Sequence, residues 1–415
     1  MTNGGAPMSD LDAISSSAAH SALNAASFQW DGNRLEAGIG IAASGGGFRA
    51  MLFHVGAFIR LNELGLLARA KRISSVSGGS IATGWLACAW PKLTEGNFEN
   101  LREAFVEPIL AFARMRIDVV DALTGALPWT SAAEELAASY DKHLFGGRTL
   151  QELPNAPQFV FCATNLQTGV LWRFAKAYAG DYIVGRLDKP TLPLALAVAA
   201  SSAFPPVLSP LILKLPDGSF GDWPAPAGAP PSAPVPASFR QRVMLTDGGV
   251  YDNHGVEPLI KRLATVFVSD GGAPFARNAE LDSDWISQLR RILDVTDNQV
   301  RALRRRDLID RLEAGNRIGD EATLVTRNDH GRLGAYWGID SDPGKLSPVA
   351  ALPCDAATVH RPAHVGTRLS NLGDDVSKQL VNWGYAICDR SVRANYKGPV
   401  AESLAAWPFP EAALG

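Results

Sequence analysis

The chain has 415 residues, of which 47% are apolar and 20% charged, and its formal net charge is −3. That apolar share supports a large buried core and excludes disorder as the main state, and the near-balanced charge leaves no basic field for nucleic acid. The four cysteines, Cys88, Cys162, Cys354 and Cys388, are scattered without paired spacing. They indicate neither a zinc site nor a disulfide framework and point to a reducing, cytoplasmic compartment.

Residues 1–36 read as a polar, partly disordered leader, without the basic and apolar regions of a secretory signal. The run AGIGIAAS (37–44) ends in glycines and suits a buried strand. FRAMLFHVGAFIRLNELG then sets Leu52, Val55, Gly56 and Ile59 on one helical face, with Gly65 as its C-terminal cap. KRISSV is a second strand and SIATGWLACAW a second helix, closed by Pro91, so the order predicts a parallel sheet with right-handed crossovers.

Residues 96–145 carry helical, amphipathic patterns. The part 105–129 reads either as an interfacial surface or as core. Strands follow at 158–166 and 170–175 around the turn Gln167-Thr168-Gly169, then a helix over 192–204 stopped by Pro205 and Pro206. Prolines break the longest apolar stretch, 191–215, into pieces too short to span a bilayer. Six prolines between Trp223 and Ala237 mark a stiff loop, either a lid or a plain insertion. QRVMLTDGG (241–249) and ATVFVSDGG (264–272) are strands that both break at Asp-Gly-Gly, placing Asp247 and Asp270 at the carboxyl edge of the sheet, where open α/β sheets bind ligands. A long arginine-rich helix follows over 284–315, with its arginine run 301–306 read as a solvated face.

Two glycine turns stand on neighbouring strands. SGGGFRA opens a helix and directs backbone N–H groups into a concavity at a positive helix end. Gly45-x-Gly47-x-x-Ala50 formally fits a dinucleotide fingerprint, but that reading needs an acid at the end of the next strand, where this chain has Ser77. The second turn, ISSVSGGSIATG (73–84), fits a nucleophile elbow, which demands small residues two before and two after the serine. Ser77 is favoured over Ser80 because its preceding strand, Arg72 to Val76, is β-compatible, whereas a strand reaching Ser80 would run through Gly78 and Gly79. A serine hydroxyl needs a base; Asp247, Asp270, or a triad through His254, His360 or His364 all remain open on local pattern.

SGGGFRAMLFHVGAFIRLNELGLL, ISSVSGGSIATG, ATNLQTG, AASSAFPPV and LTDGGVYDNHGVEPL together resemble the patatin-like phospholipases, with a closer local likeness of SGGGFRAM to the cytosolic A2-type enzymes. RALRRRDLI and RLSNLGDDVSKQLVNWGYAICD are similar to bacterial members with a longer C-terminal part. The resemblance implies a three-layer α/β fold with a central, mostly parallel sheet flanked by helices. It implies a catalytic domain over 37–262 and an α/β extension over 263–415 packed on it. It further implies a Ser-Asp dyad of Ser77 and Asp247, an oxyanion hole from Gly45, Gly46, Gly47 and Gly78, and a substrate contact through Arg49. The expected activity is hydrolysis of lipid esters, phospholipids first, at a membrane surface and without cofactor or metal. A lipid esterase or thioesterase without phosphate preference and a silent lipid-binding module are the alternatives. The chain departs from the family pattern at Ser75, where the elbow has glycine, and at Ala50, where plant members have glycine.

Overall fold

The apolar run before the first glycine turn forms strand β1 (Glu36–Ala43), buried along its C-terminal half, in a computed structural model that describes residues 34–115, 132–215, 219–223, 235–346, 348, 350–366 and 369–415. The other strands are β2 (Ala70–Ser75), β3 (Gln158–Asn165), β4 (Val170–Ala175), β5 (Tyr178–Asp181), β6 (Gly185–Asp188), β7 (Leu211–Lys214), β8 (Arg242–Asp247), β9 (Leu263–Asp270) and β10 (Leu333–Gly338). They form one mixed sheet in the order β10-β9-β1-β2-β3-β4-β5-β6. The five strands β10 to β3 are mutually parallel; β4, β5 and β6 continue as an antiparallel meander.

Helices flank the sheet: α1 (Gly47–Glu63), α2 (Gly78–Glu95), α3 (Glu107–Ala113), α4 (Ala132–Tyr140), α5 (Leu194–Ser201), α6 (Trp285–Ile318), α7 (Glu321–Arg327), α8 (Ala356–Ala363) and α9 (Asp374–Asn395). α1 is buried from Gly47 through Phe58, and it can be because α9 crosses it at glycine. A Cβ at Gly56 would lie 1.8 Å from the Val381 carbonyl, and one at Gly384 1.8 Å from the Phe53 carbonyl. The crossing also buries the ion pair between Arg60 and Asp389, at 2.7 Å. Buried charge of this kind is tolerated only when paired. Gly65, with φ of +67°, lies just past the end of α1 and lets the Leu66 N–H return to the Leu61 carbonyl.

Several elements differ from the sequence reading. α2 does not stop at Pro91 but runs on to Glu95, because Leu93 beyond the proline is fully buried and holds the last turn. α5 is shorter than 192–204, and β5, β6, β7 and β10 were not anticipated. The region 105–113 is core, with Phe105, Ile109 and Phe112 buried. Residues 116–131 and 224–234, which carry the rest of the interfacial stretch and most of the proline-rich loop, lie outside the described residues. The arginine run is not a free solvated face: Arg301 and Arg305 reach Asp270 and Asp340, and Arg304 reaches Glu257. No helix among the described residues is long and apolar enough to cross a membrane.

The largest difference is the direction of β8. The expectation of a parallel strand ending at the carboxyl edge fails because β7 and β8 form a hairpin that enters from beyond that edge, so β8 runs antiparallel to β3. One side of β3 is taken by β4 along 160–165. On the other side β2 covers 158–161 and β8 covers 163–165. β2 and β8 therefore meet head-on, with only Cys162 between their registers.

Candidate active site

That register brings the two Asp-Gly and Ser-Gly turns together. Ser75 is level with Phe161, so the chain two residues on, at Ser77, reaches the level of Ala163, which pairs directly with Asp247. Ser77 sits in the turn between β2 and α2 with φ of 50° and ψ of −121°, a conformation costly for any residue with a Cβ. Such strain persists only where the surroundings fix it. The Ser77 N–H donates to Ser201 Oγ (3.0 Å), and the Ser201 hydroxyl donates to the Cys162 carbonyl (2.6 Å).

Beneath the elbow lies a cluster of hydroxyls. Ser75 Oγ is 3.0 Å from Ser80 Oγ and 2.6 Å from Thr83 Oγ1, and Ser80 Oγ is 2.9 Å from Ser201 Oγ. The serine that replaces the first elbow glycine thus has polar partners for its added hydroxyl. Ser80 is fully buried in this cluster, whereas Ser77 keeps 8% exposure.

Asp247 is 5% exposed; its carboxylate accepts the Gly249 N–H at 2.7 Å and lies near enough to the Ser77 hydroxyl to be influenced by it. Burial pushes its carboxyl up to about 7, against the opposing pull of the Gly249 hydrogen bond and the nearby Ser77 hydroxyl. Its backbone is held as well: the Asp247 N–H donates to the Ala203 carbonyl (2.9 Å), and Thr164 Oγ1 donates to the Asp247 carbonyl (2.9 Å). A carboxylate half-ionised near neutral pH and close to a serine hydroxyl can take that proton once the two are brought into line.

Asp270 stands in a different environment. It accepts from Tyr336 OH (2.8 Å), His254 Nε2 (3.2 Å) and the Gly272 N–H (2.9 Å), and Arg301 lies 3.7 Å away. Burial pushes it up, but the charge and hydrogen bond of His254, then Arg301, hold its carboxyl well below the usual range. His254 is occupied in this network. His360 and His364 stack on each other at 3.7 Å, at the exposed C-terminal end of α8.

The glycine turn before α1 lies against the elbow. A Cβ at Gly78 would fall 2.0 Å from the Gly47 carbonyl oxygen and 2.9 Å from Gly47 N, so the N-termini of α1 and α2 converge. Gly46, with φ of +144°, caps α1, and Gly47 and Gly78 are the first residues of their helices. N–H groups at such positions have no intrahelical acceptor and are available to an anion. Gly45 differs from the expectation: its N–H already donates to the Asn253 carbonyl (3.0 Å), and its bare Cα instead gives Ser77 room, since a Cβ there would lie 3.3 Å from that of Ser77.

Arg49 is 1% exposed. Its Nε and Nη2 donate to the Gly271 carbonyl (3.2 and 3.1 Å) and its Nη1 to the Val365 carbonyl (2.6 Å). The guanidinium is thus neither in a surface ion pair nor directed at solvent. A second buried chain fixes the same turn. Trp337 Nε1–H donates to Ser269 Oγ (3.0 Å), Ser269 bonds His54 Nδ1 (2.8 Å), and His54 Nε2–H donates to the Ser44 carbonyl (2.9 Å). Burial pulls His54 down to about 4, so it is neutral and holds one proton at Nε2.

Sequence reasoning missed Ser201 and this His54 chain. The signal for Ser201 was the serine pair that interrupts the alanine-rich run just before Pro205 and Pro206; for His54 no local signal exists, because the Ser269 that orients it comes from β9, 215 residues on.

The chain is similar to human GIVD cytosolic phospholipase A2, with 14% identity over 93% of this chain and 63% of that one, at a TM-score of 0.43. The same human enzyme in complex with methyl gamma-linolenyl fluorophosphonate gives 15% identity, coverage of 93% and 62%, and a TM-score of 0.44. VipD from Legionella pneumophila gives 13% identity, coverage of 85% and 66%, and a TM-score of 0.35. The chain spans less than two thirds of the human enzyme's length. No curated protein matches it. A model of the patatin-like phospholipases matches residues 41–260, just over half of the chain and the part that holds both turns, the elbow and Asp247, and the chain belongs to that family.

Proposed function

We propose that the protein hydrolyses carboxylic esters of lipids through an acyl-Ser77 intermediate, with Asp247 as general base. The observation that supports this reading is the head-on meeting of β2 and β8, which brings the Ser77 turn beside a buried carboxylate whose pKa is raised to about 7. Asp247 takes the Ser77 proton as Oγ bonds the ester carbonyl carbon, and the resulting oxyanion is met by the N–H groups of Gly46, Gly47 and Gly78. Collapse expels the alcohol, which leaves with the proton held on Asp247. Water then enters by the same route, giving its proton to Asp247 and its oxygen to the acyl group, and Ser77 recovers its proton. Each preorganised oxyanion donor is worth about a hundredfold to a thousandfold in rate.

Phospholipids are the first substrate class, on the strength of the family. One observation favours the broader reading, a lipid esterase without phosphate preference: the Arg49 guanidinium is spent on the carbonyls of Gly271 and Val365, which suits a residue that positions the glycine turn.

Labelling with a fluorophosphonate followed by peptide mapping tests the assignment: label is expected on Ser77. Label on Ser80, or none on folded protein, overturns it. Asp247→Asn should abolish turnover, whereas Asp270→Asn should leave most of it; the opposite result would move the base to Asp270. Equal rates on matched phospholipid and neutral glyceride vesicles would establish the broader esterase.

A further inference from the structure

α6 is far longer than the sheet it crosses. Its 34 residues span about 51 Å, whereas the eight residues of β9 span about 26 Å. Its buried residues, Leu308, Arg311, Leu312 and Gly315, all lie in the C-terminal half. Arg301 Nη1 donates to the Ala273 carbonyl (3.0 Å) just past the end of β9, which marks where the helix passes the carboxyl edge of the sheet. Residues 285–300 therefore extend beyond that edge, on the side where Ser77 and Asp247 lie.

This projecting half is amphipathic with its faces reversed. At 100° per residue, Trp285, Ile286, Leu289, Ile292, Leu293 and Val300 fall within an arc of about 120°. All six are exposed, Trp285 at 75% and Ile292 and Leu293 at 59% each. The opposite, polar face is the one turned to the body: Arg291 Nη1 donates to the Ala276 carbonyl (3.0 Å), and Arg305 reaches Asp340 (3.2 Å). The apolar arc is thus presented outward, and a contiguous exposed patch of this kind marks an interaction surface.

Further large apolar side chains are exposed beside the candidate site. Leu166, Phe204 and Val250 are 48%, 59% and 51% exposed. They directly follow the last residue of β3, the Ala203 whose carbonyl takes the Asp247 N–H, and the Gly249 whose N–H holds the Asp247 carboxylate. Exposed large apolar side chains therefore gather at one edge of the sheet.

We propose that the outward face of α6, together with these neighbours, docks the protein on a lipid bilayer, with the helix lying in the interface. The choice of a bilayer over another occupant rests on the proposed lipid hydrolysis, on the shared edge, and on the width of the arc, which exceeds the narrow seam of a two-helix coiled coil. A tryptophan at the helix start with leucine and isoleucine along the arc suits the headgroup boundary. Apolar insertion carries the binding, so it depends little on salt.

The test is cosedimentation of the full chain with phosphatidylcholine vesicles, comparing the wild type with the double variant Leu289→Asp, Leu293→Asp. Both side chains are at least half exposed, so the thermal midpoint should not move. The partition coefficient should fall by about a hundredfold or more, from the loss of two buried leucines and the cost of inserting two carboxylates. Turnover of a soluble short-chain ester should be unchanged, while turnover of vesicle phospholipid drops with binding. Ser77→Ala should bind vesicles like the wild type, which separates docking from hydrolysis: loss of the catalytic assignment leaves cosedimentation intact. A wild type that does not sediment with vesicles, or a double variant that sediments equally, overturns the proposal. So does light scattering that shows a dimer converted to monomer by the double variant, which would assign the face to a second copy of the chain.

Discussion

Replacing Asp247 by Asn should remove turnover and at the same time stabilise the fold, increasingly so as pH rises. The carboxyl is moved from its usual 3.8 to about 7 by burial. Its folded-state pKa therefore lies above its unfolded value, and between the two the unfolded chain binds fewer protons than the folded one. Raising pH through this window favours unfolding; below about pH 4 both states are protonated and no difference remains. At about 1.4 kcal/mol per unit, the full cost of the ionisable group approaches roughly 4 kcal/mol above neutrality. Asparagine imitates the protonated carboxyl: its Oδ1 accepts the Gly249 N–H and its Nδ2 can donate to Ser77. Urea denaturation of both proteins from about pH 5 to about pH 8 should show the advantage of the variant growing by about 2 to 3 kcal/mol. An advantage that stays flat or shrinks across this range would refute the buried, weakly acidic carboxyl on which the proposed base depends. The same titration should appear in wild-type kinetics, where kcat/KM on a soluble ester rises through about pH 7 as Asp247 ionises.

Ser201→Ala should lower kcat by about tenfold with a smaller change in KM, because the Ser77 N–H and the Cys162 carbonyl lose their partner and the elbow loses its anchor; steady-state rates on a soluble ester check it. Ser75→Gly restores the family's elbow glycine but removes the hydroxyl between Ser80 and Thr83, so it should keep activity and cost about 1 to 2 kcal/mol in urea denaturation.

The elbow was legible because its requirements are local: a β-compatible run, small flanking residues, and a helix that starts on glycine. Ser77 and the glycine turn before α1 therefore come together in the structure as neighbours on adjacent strands. Asp247 was legible as a strand end but not in its direction, since an apolar pattern is the same read parallel or antiparallel. The choice was made by β7, whose four residues were hidden in a proline-broken stretch. Ser201 lies 124 residues from the N–H it holds, and no spacing rule reaches that far. α6 shows the complementary limit. Its periodicity announces a helix with one apolar face, but only the packing tells that the polar face meets the body and the apolar face is left outward.

The part of the chain after the family-matched region fixes the glycine turn before α1 as much as the turn's own glycines do. β9 pairs with β1 along its length and supplies Ser269, which orients His54 onto the Ser44 carbonyl. The turn after β9 supplies the Gly271 carbonyl that receives Arg49 and the Gly271 N–H that donates to Ser44 Oγ (2.8 Å). α9 locks α1 at Gly56 and through Arg60. Catalysis by preorganised N–H groups depends on their being fixed before the oxyanion forms. In the proposed mechanism, buried groups of the turn and of α1 (Ser44, Arg49, His54 and Arg60) each take a partner from residues 263 onward. A chain ending at the family boundary would leave β1 without one neighbour and His54 without Ser269, so the glycines would be present but their N–H groups no longer aimed.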